Sequence, residues 1–106
     1  MKSILINFVK EFTDCPGGRQ RNHGEFSGEQ FREDVLKPAL NENDKVILNL
    51  NGAYGFPSSF IDEAFGILVE HVGYEFVRLK LVLQLDDDPL ALKEIESAMD
   101  AHNKHK

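Results

Sequence analysis

The chain has 106 residues, the length of one domain, and can bury a core without disulfides or a metal. Its net charge of −6 opposes binding to nucleic acid or an anionic membrane surface, because both attract Lys and Arg. No apolar run approaches the roughly 18 residues of a membrane span. A single cysteine, Cys15, excludes an internal disulfide and fits a reducing cytosol. We therefore expect a cytoplasmic protein with one domain over 1–106.

The first third of the chain predicts a strand, a loop and a helix. Residues 3–12 are apolar with partial alternation, which predicts the first strand. The polar loop that follows contains a Cys-Pro-Gly-Gly turn signal, and part of 19–26 has the pattern of a short return strand. Ser27 and Gln30 have the spacing of a capping box at a helix start. We expect this helix to end or bend at Pro38.

The rest of the chain predicts two further strands and two further helices. Residues 45–50 form a near-continuous apolar run, which is typical of a strand covered on both faces. Apolar residues at helical spacing predict a helix over 59–71 that stops at Gly73. Basic and apolar residues alternate over 75–85 and predict a third long strand. Asp88 precedes a proline and predicts the start of a last helix.

Strands separated by helices imply crossover connections and a parallel sheet. The predicted fold is a small α/β domain with a mixed or mostly parallel sheet of about four strands and three helices. The sequence predicts no cofactor, because no phosphate loop or dinucleotide fingerprint is present. It also predicts no metal site. The acidic run 86–88 is interpreted as a strand exit and helix cap, and His102 and His105 fall in a tail expected to fray.

Two adjacent serines, Ser58 and Ser59, lie where the second helix is expected to begin. A helix start exposes unpaired backbone N–H groups and partial positive charge. Two interpretations are open. Ser59 caps the helix with help from Asp62, and Ser58 is solvated one residue outside it. Alternatively, the hydroxyls bind an anion, become phosphorylated or contact a partner.

Two other groups of residues are candidates for contact with a partner. The first is an aromatic loop that either packs under the helix or forms the centre of a docking surface. Its rim would be the acidic first turn of the helix. The loop consists of Tyr54, Gly55, Phe56 and Pro57, and the rim of Asp62 and Glu63. The second group, Arg19 and Arg21 with His23, either contacts an anion or acidic partner or is solvated.

Residues 46–69 resemble the central motif of STAS domains, the family of bacterial anti-sigma factor antagonists. In that family a hydrophobic strand ends in Asp-Leu, and an Asp-Ser-Ser-Gly turn opens the next helix. Here Asn49-Leu50 stands at the first position and Pro57-Ser58-Ser59-Phe60 at the second. The resemblance implies that Ser58 matches the serine that a partner kinase phosphorylates.

A less characterised STAS-like family, a domain of unknown function, is similar over more of the chain. The likeness implies a regulatory module that binds protein, has no catalytic residues and has a histidine-kinase-type ATPase as a partner. It is carried by three pieces: Arg21 with Gly24; Phe26-Ser27-Gly28 with Phe31; and Ser58-Ser59-Phe60 with Asp62-Glu63-Ala64-Phe65-Gly66.

We therefore expect a cytosolic signalling module, not an enzyme, that binds its partner through 52–57, the two serines and the start of the second helix. Two alternatives stay open. One is a small enzyme that uses Ser58 as a nucleophile or the loop Arg19–His23 to bind an oxyanion. The other is a structural or antitoxin-like interaction protein whose serines only cap the helix. Strand order, partner identity and oligomeric state do not follow from the sequence.

Overall fold

The computed structural model describes residues 2–103, except the side chain of His23. In this range a three-stranded parallel sheet has the order β1-β2-β3. The register pairs Ile6 with Leu48 and Leu48 with Leu83, so the inward apolar side chains form rows across the sheet. The strands are β1, Ser3–Asn7; β2, Lys45–Asn49; and β3, Leu81–Gln84.

Five helices accompany this sheet in the described part of the chain. Three are continuous: α1, Phe8–Glu11; α4, Tyr74–Lys80; and α5, Pro89–Asn103. The helix α2 is composed of Gly28–Phe31, a π-helical segment Arg32–Leu36, and Lys37–Glu42. The helix α3 has the same construction, with Ser58–Ile61, a π-helical segment Asp62–Gly66, and Ile67–Val72.

The local signals at helix ends are confirmed. The Ser27 hydroxyl accepts a hydrogen bond from the Gln30 N–H at 3.1 Å, as a capping box requires. Gly73 ends α3 with a φ of 98°, a conformation that other residues rarely adopt. The Asp88 carboxylate caps α5 by accepting from the Ala91 N–H at 3.1 Å. Each signal needs only neighbours in sequence, so it can be interpreted without the fold.

Two strand predictions are wrong. Residues 19–26 contain a 3₁₀ turn, Arg21–His23, in place of a return strand, so the described sheet has three strands and not four. Residues 74–80 are helical, and β3 begins only at Leu81. Tyr74 and Val77 are three residues apart and share one face of this helix, and Val77 is fully buried. This helical stripe prevails over the short alternation of basic and apolar residues.

Two helix boundaries also differ from expectation. The first strand ends at Asn7, because the Asn7 side chain accepts from the Lys10 N–H at 3.1 Å and caps α1. Pro38 lies within α2, which continues to Glu42. The π-helical segment before Pro38 changes the hydrogen-bonding pattern, so a residue without an N–H is tolerated there.

The sheet is not covered evenly on its two faces. The register places Leu5, Ile47 and Val82 in one row, opposite the rows that face the core. Leu5 is 60% exposed and Val82 is 41% exposed, whereas Val46 and Leu48 on the other face are fully buried. Within the single chain, only one face of the sheet is well covered. The expectation that β2 is covered on both faces is therefore wrong.

Phenylalanine rings fill the core near the carboxyl ends of the strands. Phe8, directly after β1, is fully buried. Its ring centroid lies 4.9 Å from that of Phe31 and 5.9 Å from that of Phe60. Phe56 packs on the same ring at 5.5 Å. The cluster therefore ties α1, α2, α3 and the loop before α3 to one another.

The helices α2 and α3 approach each other closely at Gly28. A Cβ atom added there would lie 2.8 Å from the Phe60 carbonyl oxygen and 2.9 Å from the Glu63 Cβ. Since one of these neighbours is backbone, it has little freedom to move away. Glycine at position 28 is thus a condition for the helix contact that positions the start of α3.

We predict that Gly28→Ala destabilises the protein by about 1–3 kcal/mol, the usual effect of overpacking a well-packed contact. The physical reason is the clash with the Phe60 carbonyl, which forces α2 and α3 apart. Chemical denaturation of the two proteins measures the difference. An unchanged free energy of unfolding would show that the helices do not pack as described.

Candidate functional site

Ser58 is the first residue of α3, and its side chain is exposed. Its hydroxyl donates a hydrogen bond to Glu94 Oε2 of α5 at 3.3 Å. Ser59 follows inside the helix and is half-buried. The two serines therefore differ in access to solvent, and Ser58 is the accessible hydroxyl.

The expectation that Ser59 caps α3 is wrong. Pro57 is the N-cap residue, and no side chain makes a capping hydrogen bond. The proline ring fixes φ, here −57°, and the Pro57 carbonyl accepts the first helical bond from the Ile61 N–H at 3.1 Å. Because neither serine caps the helix, the alternative in which the serines act only as caps loses its structural basis.

The loop before α3 is fixed at its base by hydrogen bonds to the segment after β3. The Asn51 side-chain oxygen accepts from the N–H groups of Asp86 and Asp87 at 2.7 and 3.1 Å. In return, Asp87 Oδ2 accepts from the Gly52 N–H at 2.8 Å. The loop therefore has a defined conformation in the free protein.

The two aromatic residues of the loop have different environments. Phe56 packs under α3, with its ring centroid 6.4 Å from that of Phe60. Tyr54 points outward and is 85% exposed, while its N–H donates to the Asp14 carbonyl at 2.8 Å. Of the two interpretations of the aromatic loop, packing under the helix is therefore the correct one for Phe56. A contact between Tyr54 and a partner stays a prediction.

A groove of about 670 Å³ lies between the start of α3 and the outer side of α5. It combines aliphatic side chains with two hydroxyls and three charged groups, and its most exposed apolar side chain is Leu90, at 75%. The residues that line it are Ser58, Ile61 and Asp62 of α3, and Leu90, Lys93, Glu94, Ser97 and Ala98 of α5.

The α5 residues that line the groove were not among the site residues predicted from the sequence. The signal was present, because Leu90 falls outside the inward stripe of α5, where Ile95 and Met99 are fully or almost fully buried. An exposed leucine at a helix start is unremarkable alone. Its position beside Ser58 depends on packing between residues more than 30 positions apart.

An almost buried ion pair joins α2 to the first turns of α3. Arg32 is 5% exposed and Glu63 is 8% exposed. Arg32 Nη1 donates to Glu63 Oε2 at 2.7 Å and to the Glu63 carbonyl at 2.8 Å, while its Nε donates to Glu33 at 2.8 Å. Burial lowers the pKa of Arg32, but the bonds to the two carboxylates outweigh burial and raise it. Glu63 is therefore inside the protein, and its expected place on a partner-binding rim is wrong.

The two arginines of the loop after α1 are paired with carboxylates of this chain. Arg19 Nη1 donates to Asp62 at 2.6 Å and lies 3.5 Å from Glu63. Arg21 makes a two-pronged contact with Asp34 of α2, at 2.7 and 3.1 Å. Arg19 is thus next to the groove through Asp62, whereas Arg21 is bound to α2. Contact of either with a partner stays a prediction.

His102, in the last turn of α5, contacts two carboxylates of α3. Its Nε2 lies 2.7 Å from Asp62 Oδ1, and its Nδ1 contacts Glu70. The expectation that the tail frays is wrong as far as Asn103, because α5 continues to that residue. His105 lies outside the described residues. Asp62 and Glu70 are eight residues apart, two turns of a helix, which is the sequence signal for their shared face.

The surroundings of Ser58 differ from those of an activated nucleophile. Among the described side chains its hydroxyl contacts the Glu94 carboxylate and no imidazole, whereas such serines are activated by an adjacent base held by a third group. With His23 left aside, residues 2–103 contain no group of three or more His, Cys, Asp or Glu side chains arranged to hold a metal ion. No helix in this range has both the length and the apolar character needed to cross a bilayer.

The profile of a family described as "STAS-like domain of unknown function (DUF4325)" matches residues 27–89, more than half of the chain. The chain therefore belongs to this family of STAS-like domains. The matched range contains α2, β2, α3, α4 and β3, and thus Ser58 and the α3 side of the groove. The α5 side of the groove, from Leu90 to Ala98, lies outside it. Searches of curated proteins and of solved structures gave no match.

We predict that Glu63→Ala destabilises the protein by about 3–5 kcal/mol, because it leaves the Arg32 cation buried with fewer partners. Replacing both members, as in Arg32→Met with Glu63→Leu, should recover most of this loss, since apolar side chains of similar size need no counter-charge. Chemical denaturation of the single and double variants checks both expectations. A double variant as unstable as Glu63→Ala would contradict the role given to the pair.

Proposed function

We propose that this domain is a cytoplasmic regulatory module that binds another protein through the Ser58 surface. This surface consists of the loop 52–57, Ser58 and the residues that line the groove between α3 and α5. The observation that carries the proposal is the exposed Ser58 hydroxyl in the lining of this groove, preceded along the chain by a loop with the outward Tyr54. Membership of the STAS-like family supports a regulatory interaction module.

The physical character of the Ser58 surface suits protein recognition. Tyrosine is a frequent anchor in interfaces because its ring is large and its hydroxyl bonds to polar groups. The base of the loop is held by Asn51 and Asp87, so docking orders few additional groups. Leu90 provides apolar contact area, and Lys93 and Glu94 supply a polar margin.

The proposal includes Ser58 as the regulated hydroxyl. A phosphoryl group adds a charge of about −1.5 to −2. On Ser58 it would repel Glu94 across the groove, whose Oε2 accepts a hydrogen bond from the Ser58 hydroxyl at 3.3 Å. It would also repel Asp62, four residues further along α3. The positive end of α3 would partly offset this repulsion. Phosphorylation would thus change the charge of the Ser58 surface and leave the buried core intact.

The partner that we propose is a histidine-kinase-type ATPase or a similar regulator, as the resemblance to anti-sigma factor antagonists implies. Two positions depart from the antagonist pattern and have structural roles here. Pro57 is the N-cap residue of α3, and Phe60 is fully buried in the aromatic cluster. Both roles preserve the helix start, so the accessible hydroxyl is retained without the acidic residue or the glycine.

We predict that a photo-cross-linking benzoylphenylalanine at Tyr54 captures a defined protein from the native cytosol. The matched control has the same group at Leu79, which is 70% exposed on α4 and outside the Ser58 surface. Mass spectrometry identifies the captured protein and the peptide joined to it. Equal capture from both positions would contradict binding through the Ser58 surface.

In the Tyr54 cross-linking protein, Ser58→Asp should reduce capture at least tenfold, because it places a carboxylate beside Glu94 and Asp62. The melting temperature should change by only a few degrees, since the side chain is exposed. Ser3→Asp, at the exposed amino end of β1, adds the same charge elsewhere and should leave capture unchanged. Undiminished capture with Ser58→Asp would oppose a regulatory role for this hydroxyl.

A further inference from the structure

His102 lies between two carboxylates, one at each ring nitrogen. Nε2 is 2.7 Å from Asp62 Oδ1, and Nδ1 contacts Glu70. An ionised carboxylate only accepts hydrogen bonds, whereas a neutral imidazole has one donor and one acceptor nitrogen. Both contacts are therefore satisfied only when the ring carries two protons and a positive charge.

The surface of α3 is shaped to accept this ring. Asp62, Gly66 and Glu70 follow one another at intervals of four residues and lie on one face of the helix. A Cβ atom added at Gly66 would lie 2.6 Å from His102 Nε2, so the ring rests directly on the glycine. The side chain of His102 is only 17% exposed, although it belongs to the last turn of α5.

The charged groups around the ring come from two elements packed against the end of α5. Asp62 and Glu70 belong to α3, and Arg19 from the loop after α1 binds the second oxygen of Asp62 at 2.6 Å. On α5 itself, Asp100 is engaged elsewhere, by the Tyr74 hydroxyl at 2.7 Å. Burial lowers the pKa of His102, but the bonds to Asp62 and Glu70 outweigh burial and raise it.

We propose that His102, Asp62 and Glu70 form a pH-sensitive latch, the His102 latch, which holds the last turn of α5 against α3 and sets the charge of the Ser58 surface. Asp62 belongs to both the latch and the groove. When His102 loses its proton, one ring nitrogen presents a lone pair to a carboxylate and that contact is lost. The groove then gains net negative charge. The regulatory meaning rests on the proposed function, whereas the latch itself does not.

The direction of the pH effect follows from the raised pKa. The contribution of the latch to stability is fully present below the pKa of an unfolded histidine, about 6.5. It is lost as the pH rises through the higher pKa of the folded protein. At mildly alkaline pH the contact between the last turn of α5 and α3 is therefore weakened, whereas at mildly acidic pH it is kept.

The test is a pH titration of the histidine ring protons by NMR, combined with thermal unfolding. In the wild type, His102 should titrate above about 6.5, and Asp62→Asn with Glu70→Gln should lower its pKa towards that value. The difference in melting temperature between wild type and His102→Gln should be largest near about pH 6 and should decrease as the pH rises through the raised pKa of His102. His71→Gln is the control, because His71 is exposed and outside the latch.

Two further measurements separate the latch from a merely structural contact. Because the latch sets the charge of the groove, the amide resonances of Ser58 and Ile61 should change with pH, and the midpoint of this change should equal the pKa of His102. Gly66→Ala should displace the ring and abolish that coupling. A pKa of His102 at or below about 6.5, or a pH-independent effect of His102→Gln, would overturn the proposal. Neither readout needs a partner, so failure of capture through Tyr54 is a separate result.

Discussion

The buried contact between Arg32 and Glu63 is the interaction on which the geometry of the Ser58 surface depends. One guanidinium nitrogen binds both the side chain and the backbone carbonyl of Glu63, so it fixes the helix as well as the carboxylate. Gly28 lets the two helices approach closely enough for this contact. The start of α3 is thus held by a rigid element and not by its preceding loop alone. Binding residues are most accurately placed on such supported elements.

From this pair, a chain of charged contacts leads outward to the groove and to α5. Glu63 is also near Arg19, Arg19 binds Asp62, and Asp62 contacts His102. Hydrogen bonds of charged groups in a partly buried network support one another more strongly than isolated surface pairs. The same acidic residues that give the protein its negative charge therefore connect its core to its proposed binding surface. A change of charge at His102 acts on the outer end of this chain. A change of charge at Ser58 acts on it only through the electrostatic field at Asp62, four residues along α3.

The sequence predicted what depends on near neighbours. Ser27 and Gln30 are three residues apart, and the apolar run of β2 is continuous, so both were readable without the fold. The helix over 74–80 was misread because seven residues satisfy a short alternation as well as a helical stripe. The two serines do lie at the start of α3, but the residues of α5 that contact this part of α3 were not predicted. Glu94 and His102 are 36 and 40 positions from the α3 residues they contact, a distance at which no local pattern exists.

The most direct test of the central claim is hydrogen–deuterium exchange of the domain, alone and with the protein that cross-links through Tyr54. The account predicts that binding slows exchange in 52–62 and in 90–98, the two segments that form the Ser58 surface. The open face of the sheet, marked by Leu5 and Val82, should exchange at the same rate in both states. Protection confined to that face, with no change around Ser58, would contradict the account.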